Sequence, residues 1–254
     1  MNKLIPAVFI NMILALSMFA QEGDGQTIIV QPLAFEISPL RAEDFDKSGD
    51  ELVKPVEETI KSFGFEYFPL NRHVQYNYNS NAGDTEAEVS ESDDELVLTY
   101  NAGSITYEQQ FFKGDSGIYL TRTETSAFLF FGARVTYPEP VLRLPLPLET
   151  GATWQWVGLE IAGGDTGKLT IFGQALGEEE IETPVGTFTC LKIQMQVESE
   201  MGSKNIVTEW LAPNIGVVKF HAQLEGSGIT GFIQDLMGLD ELTFDLTGIE
   251  EDKS

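Results

Sequence analysis

The stretch Thr136–Trp156, TYPEPVLRLPLPLETGATWQW, decides how this chain is read. Pro138, Pro140, Pro145 and Pro147 precede Gly151 and the tryptophans Trp154 and Trp156. Proline has no backbone N–H to donate to a ladder. Such a run therefore makes an edge, a crossover or a bulged connection, not a central strand. Alternating apolar and polar residues flank it on both sides, so the expectation is a strap joining two β-rich halves, 65–137 and 142–224.

Upstream of the strap, Leu96, Leu98 and Tyr100 alternate with Val97, Thr99 and Asn101, and Asn101-Ala102-Gly103 turns the chain. Ile105, Tyr107, Gln109 and Phe111 follow, then Gly114-Asp115-Ser116-Gly117, then the row Tyr119, Thr121, Thr123 and Thr125, and an aromatic strand over Phe128–Tyr137. Downstream, Trp154–Ile161, Lys168–Phe172 and Gly173–Glu182 read as three separate strands. Thr187–Glu198 has the clearest pattern: Leu191, Ile193, Met195 and Val197 share one face, and Lys192, Gln194, Gln196 and Glu198 the other. Ile206–Leu211 and Val217–Leu224 are joined by Pro213-Asn214-Ile215-Gly216, and Leu242, Phe244 and Leu246 make one more strand.

Period-two alternation belongs to half-buried strands. Turn signals about every ten residues predict antiparallel meanders rather than βαβ units. The expected fold class is all-β: an antiparallel, strongly twisted open barrel or two packed sheets, with two short helices. The helices are expected at Ser48–Gly64, from the stripe Leu52, Val56, Ile60 and Phe63, and at Ile229–Leu236, from Ile229, Phe232, Ile233 and Leu236. The expected organisation is a signal segment over 1–20, an acidic arm with a helix over 21–64, a single β-rich domain over 65–247 and an acidic, disordered tail over 248–254. A faint echo runs through the chain. Pro69-Leu70 precedes Tyr76 and Tyr78 at the same offsets at which Pro147-Leu148 precedes Trp154 and Trp156. A duplicated meander and coincidence in an aromatic-rich β-protein both remain open.

The chain has 254 residues, 42% of them hydrophobic, so a sizeable core forms without staples. Its formal charge of −25 repels phosphate backbones and anionic membrane surfaces, which argues against nucleic acid as a partner. Lys3, the apolar run Leu4–Met18 and a cleavage point at Ala20–Gln21 read as a secretory signal. The expected location is extracytoplasmic, in the periplasm or secreted, with no stable membrane span after signal removal. No cysteine lies beside that segment, so the expectation is a protein that is not a lipoprotein. The only cysteine, Cys190, has no intrachain disulfide partner and sits in an alternating strand, as an inert core residue would.

Three segments together resemble a known family: FPLNRHVQYNY (Phe68–Tyr78), LPLPLETGATWQW (Leu144–Trp156), and ETPVGTFTCLKIQ (Glu182–Gln194) with EWLAPNIGVVK (Glu209–Lys219). They are similar to the TapB-like family of exported bacterial β-rich proteins without established function. The resemblance spans roughly 65–224. It implies an envelope or secreted β-protein and carries no catalytic residues. Arg72, His73 and Val74 depart from the glycine and aromatic expected in the first segment.

Each chemical motif has a plainer reading. Gly114-Asp115-Ser116-Gly117 matches the surroundings of a trypsin-type serine, yet only His73 and His221 exist to serve as base, and the tetrapeptide is a good hairpin connection. Asp44–Asp50 imitates the first half of an EF-hand loop, but position twelve, where a bidentate acid belongs, is Pro55. Glu178-Glu179-Glu180 supplies carboxylates, but neighbours on a strand point to opposite faces, so the run reads as solvated charge. No metal spacing, phosphate loop or dinucleotide fingerprint appears, and neither cofactor nor enzymatic activity is expected. The remaining feature is the aromatic content of 17 Phe, 7 Tyr and 3 Trp. Most of it fills a core, while Tyr76, Tyr78, Trp154, Trp156 and Phe232 are candidates to line a cavity for a hydrophobic small molecule. The expected function is a non-catalytic exported protein with an unknown envelope partner, or else a carrier or chaperone for a lipid-like ligand.

Overall fold

Period-two alternation places one face of each strand in oil and the other in water, and a meander of such strands curls until its edges meet. The computed structural model describes residues 64–71, 73–92, 95–127, 131–226 and 240–251. They form twelve strands: β1 (Val74–Ser80), β2 (Thr85–Ser92), β3 (Glu95–Ala102), β4 (Ile105–Gly114), β5 (Gly117–Ala127), β6 (Phe131–Pro145), β7 (Thr153–Ala162), β8 (Asp165–Thr183), β9 (Gly186–Ser199), β10 (Ser203–Ala212), β11 (Gly216–Gly226) and β12 (Glu241–Glu251). Each pairs antiparallel with its neighbours in sequence, and β1 pairs with β12, from Val74 opposite Glu251 to Ser80 opposite Phe244.

The barrel is closed, where the sequence led us to expect an open barrel or two packed sheets. Closure rests on contacts between the ends of the chain, such as Asn77 with Glu250, which no local pattern encodes. It leaves no free edge strands to aggregate. β12 continues to Glu251, so 248–251 of the expected tail are laddered to β1. Among the described residues there is no α-helix, only a 3-10 turn at Phe65–Tyr67. Both expected helices lie outside the described residues save for Gly64, as do the segments 1–20 and 44–50 and Phe232.

A twelve-strand barrel is too wide for small side chains to fill, which explains the aromatic content. Tyr76, Tyr78, Tyr107, Phe111, Tyr137, Trp154 and Phe244 are buried. Several meet edge to face, Phe68 on Phe111 at 5.4 Å and Tyr78 on Phe244 at 6.2 Å between ring centroids.

The proline stretch is not the expected strap between two halves but the bulged second part of a wall strand, β6, laddered to β5 as far as Pro145; of the forms expected, only the bulge is present. Leu120 pairs with Val141 and Arg122 with Thr136, so Tyr137-Pro138-Glu139-Pro140 stands opposite Thr121 alone. Pro138, Glu139 and Pro140 are exposed. β6 is laddered to β7 only at Val135 and Thr136. The bulge also switches faces along β5. Ile118 and Leu120 point inward before it and Thr123 after it, so the expected row from Tyr119 to Thr125 is broken.

The sequence led us to expect one strand ending at Phe172 and another starting at Gly173, but β8 runs unbroken through both. The cross-strand partner of Gly173 is Trp154, whose indole lies across the bare Cα. A Cβ added there would sit 2.1 Å from the ring. Trp156 covers Gly158 in the same way. These glycines make room for large inward rings.

Candidate functional site

One end of the barrel is plugged. The 3-10 turn delivers Tyr67, Phe68 and Leu70 into the mouth, all buried. The backbone N–H of Asn214 donates to the Glu66 carbonyl at 2.6 Å, and Lys113 Nζ donates to the Pro69 carbonyl at 2.9 Å. Gly64 has φ of +129° and rests against Leu146 and Leu148 of the β6–β7 connection.

Beneath the plug lies a buried ion pair. Arg143 of β6 is 7% exposed and Glu209 of β10 is 4% exposed. One guanidinium nitrogen, Nη2, meets both carboxylate oxygens at 2.5 and 2.6 Å, and Nη1 faces the Met195 sulfur at 3.2 Å. The guanidinium also lies 5.6 Å from the Phe68 ring, linking plug and pair. Around the pair, Tyr100 stacks on Tyr107 at 6.0 Å, and Tyr78 donates its hydroxyl to the Val217 carbonyl at 2.9 Å. Burial pushes the hydroxyls of Tyr78, Tyr100, Tyr107 and Tyr137 far above the usual phenol range, so all four stay neutral.

The space left inside is small. A cavity of about 60 Å³ is bounded by Phe68, Tyr78, Tyr100, Arg143, Met195 and Glu209 among others. A second hollow of about 30 Å³ lies under the plug beside Tyr76. Pockets for drug-sized ligands run to roughly 300–1,000 Å³, so the first holds a few waters and nothing lipid-sized. A third hollow, about 550 Å³, is polar and lies beside Asn77, Asp84, Glu86 and Asn101.

Of the proposed cavity-lining aromatics, Tyr76 and Tyr78 both border the small hollow and Tyr78 the main cavity as well, while neither tryptophan borders either. Trp154 is spent on Gly173, and Trp156 meets Tyr137 edge to face at 6.5 Å. The serine motif is the turn of the β4–β5 hairpin, with the Ser116 hydroxyl 2.6 Å from that of Tyr119. His73 is exposed, and His221 bonds Glu241 at 3.0 Å. Glu178, Glu179 and Glu180 are exposed. Glu179 accepts from the Trp210 indole at 3.0 Å and from Lys192 at 3.1 Å, and these bonds hold its carboxyl below the usual range.

Cys190 is fully buried, and desolvation, helped by the Glu179 charge, pushes its thiol up to about 11. Folded protein at pH 8 is therefore expected to resist a thiol-disulfide reagent, while denatured protein reacts at once. Rapid labelling of the native state would show a reachable thiolate instead.

Sequence reasoning overlooked both Arg143–Glu209 and a feature of the outer wall. All six large hydrophobics with exposed side chains among the described residues fall between Val157 and Val185. Val157 (47% exposed), Leu159 (49%) and Ile161 (36%) alternate along the outside of β7. Phe172 and Leu176 stand on the outside of β8, and Val185 at the tip of the β8–β9 hairpin. The signal was present. In WVGLEIA no position on the outward row is charged, whereas the outward row of β9 reads Lys192, Gln194, Gln196, Glu198.

Residues 171–223 match the DUF3108-like family model. The segments Glu182–Gln194 and Glu209–Lys219, which carried the resemblance, fall within that match. The TapB-like name is not carried further. No curated protein matches the chain. Among solved structures, a candidate lipoprotein from Parabacteroides distasonis is similar at 13% identity and a TM-score of 0.41, over 72% of this chain and 98% of its own. The hypothetical lipoprotein YmcC from Escherichia coli matches at 11% identity and a TM-score of 0.41, over 71% and 88%. A candidate exported protein with a YmcC-like fold from Bacteroides fragilis matches at 14% and 0.35, over 71% and 97%. None of these descriptions names an enzymatic activity.

Two of the three structures are described as lipoproteins, which conflicts with the expectation of a protein that is not one, and that expectation is withdrawn. That expectation rested only on the lack of a cysteine beside residues 1–20.

Proposed function

We propose that this chain is an exported, non-catalytic barrel that acts as an interaction protein through the outer wall of β7 and β8. The observation that carries the reading is the confinement of every exposed large hydrophobic among the described residues to 157–185. Clustered apolar side chains in water mark contact surfaces, whereas scattered ones need no explanation. The signal-like residues 1–20 support export. The carrier reading finds less support, because the interior cavity lined by Phe68, Arg143 and Glu209 is only about 60 Å³.

A photo-crosslinking residue placed at Leu159 or Phe172, in cells of the native host, is expected to give one discrete adduct. The same residue at Gln196 or His221, on the polar wall, is expected to give none. Equal labelling at all four positions, or none at any, would remove the wall as the functional surface.

A further inference from the structure

We infer that the occupant of this wall is another protein whose contact surface has an apolar centre and a basic rim. The inference rests on the reading of β7–β8 as the contact surface and adds the chemistry of the partner. Gln155 pairs with Phe172 and Val157 with Thr170, so Phe172 is diagonal to Val157 and continues the row Val157, Leu159, Ile161 onto β8. That row is about 13 Å long at the strand rise. Polar side chains border it, Gln174 opposite Thr153 and Gln196 opposite Phe172.

The charges around the row are unbalanced. Glu198, opposite Thr170, is neutralised by Lys204 at 2.8 Å. Glu139 on the β6 bulge and Asp165 at the β7–β8 turn are exposed and form no ion pair within the described residues. Lys168, opposite Leu159, is the lone cation in the row. A second copy would set acidic rim against acidic rim on two chains of charge −25, and an anionic lipid surface meets the same repulsion. A basic rim is drawn in by that field, while the apolar side chains of the row are cheap to desolvate.

The test uses the full chain and two synthetic β-hairpin peptides sharing a Val/Phe face, one rimmed with Lys and one with Glu. At about 50 mM salt the Lys-rimmed hairpin is expected to bind at least about tenfold more tightly than its Glu-rimmed twin, and salt should erase most of that margin. Leu159→Ser with Phe172→Ser is expected to weaken it about tenfold, and Glu139→Gln with Asp165→Asn about threefold, with an unchanged melting temperature showing intact folding. Undiminished binding by the serine variant would reduce the effect to general charge attraction and overturn the inference. So would preference for the Glu-rimmed peptide, binding to anionic vesicles, or a dimer in sedimentation that Leu159→Ser dissolves. If crosslinking at Leu159 still gave its adduct after any of these results, the wall would stand as the contact surface and only the basic-rim chemistry would fail.

Discussion

Replacing Glu209 with alanine is expected to cost about 3–5 kcal/mol of folding stability, read as a drop in the urea midpoint. The reason lies in what stays behind. Arg143 is 7% exposed, and its remaining polar neighbour at Nη1 is the Met195 sulfur, a weak acceptor. A buried guanidinium without a carboxylate must drag in water or displace Phe68, whose ring lies 5.6 Å away. Arg143→Met with Glu209→Leu together should recover most of the loss, because replacing both charges removes the desolvation penalty along with the attraction. A single-variant loss under about 1 kcal/mol would show that Arg143 is already hydrated in the native barrel.

The second large effect concerns Trp154 and Gly173. Trp154→Ala is expected to cost about 3–5 kcal/mol, as the indole is buried and fills the barrel next to β8. Gly173→Ala should cost about 1–3 kcal/mol, since its new Cβ would fall 2.1 Å from the indole. The informative quantity is the coupling. In the Trp154→Ala background the ring is gone, so Gly173→Ala should cost almost nothing and even stiffen the strand. Additive losses in urea titrations would mean that Gly173 is needed for its backbone alone.

These two sites show how far the chain could be read without coordinates. Trp154 was legible as a strand aromatic, but Gly173 was expected to begin a new strand, because a glycine within a strand looks the same whether it marks a boundary or yields space to a ring. Arg143 and Glu209 each occupy an inward position in an alternating strand, which is an anomaly visible in the sequence. They lie 66 residues apart, and nothing local pairs them. The outer row Val157, Leu159, Ile161 was visible as well, yet it was absorbed into the general pattern of half-buried strands. Of the proline stretch only the bulge was legible, since a missing N–H restricts pairing in any tertiary setting.

By itself the amino-acid sequence determined that these segments are extended, that successive ones run antiparallel through short turns, and which side of β9 meets water. Those properties follow from the backbone pleat and from turn residues within a few positions of one another. The tertiary structure alone decided that β1 finds β12, that the barrel closes with a plugged mouth, that its interior is nearly full, and that the apolar row on β7 is left facing solvent. Each of these depends on which distant residue lies opposite, and that is settled only when all twelve strands compete for the same interior.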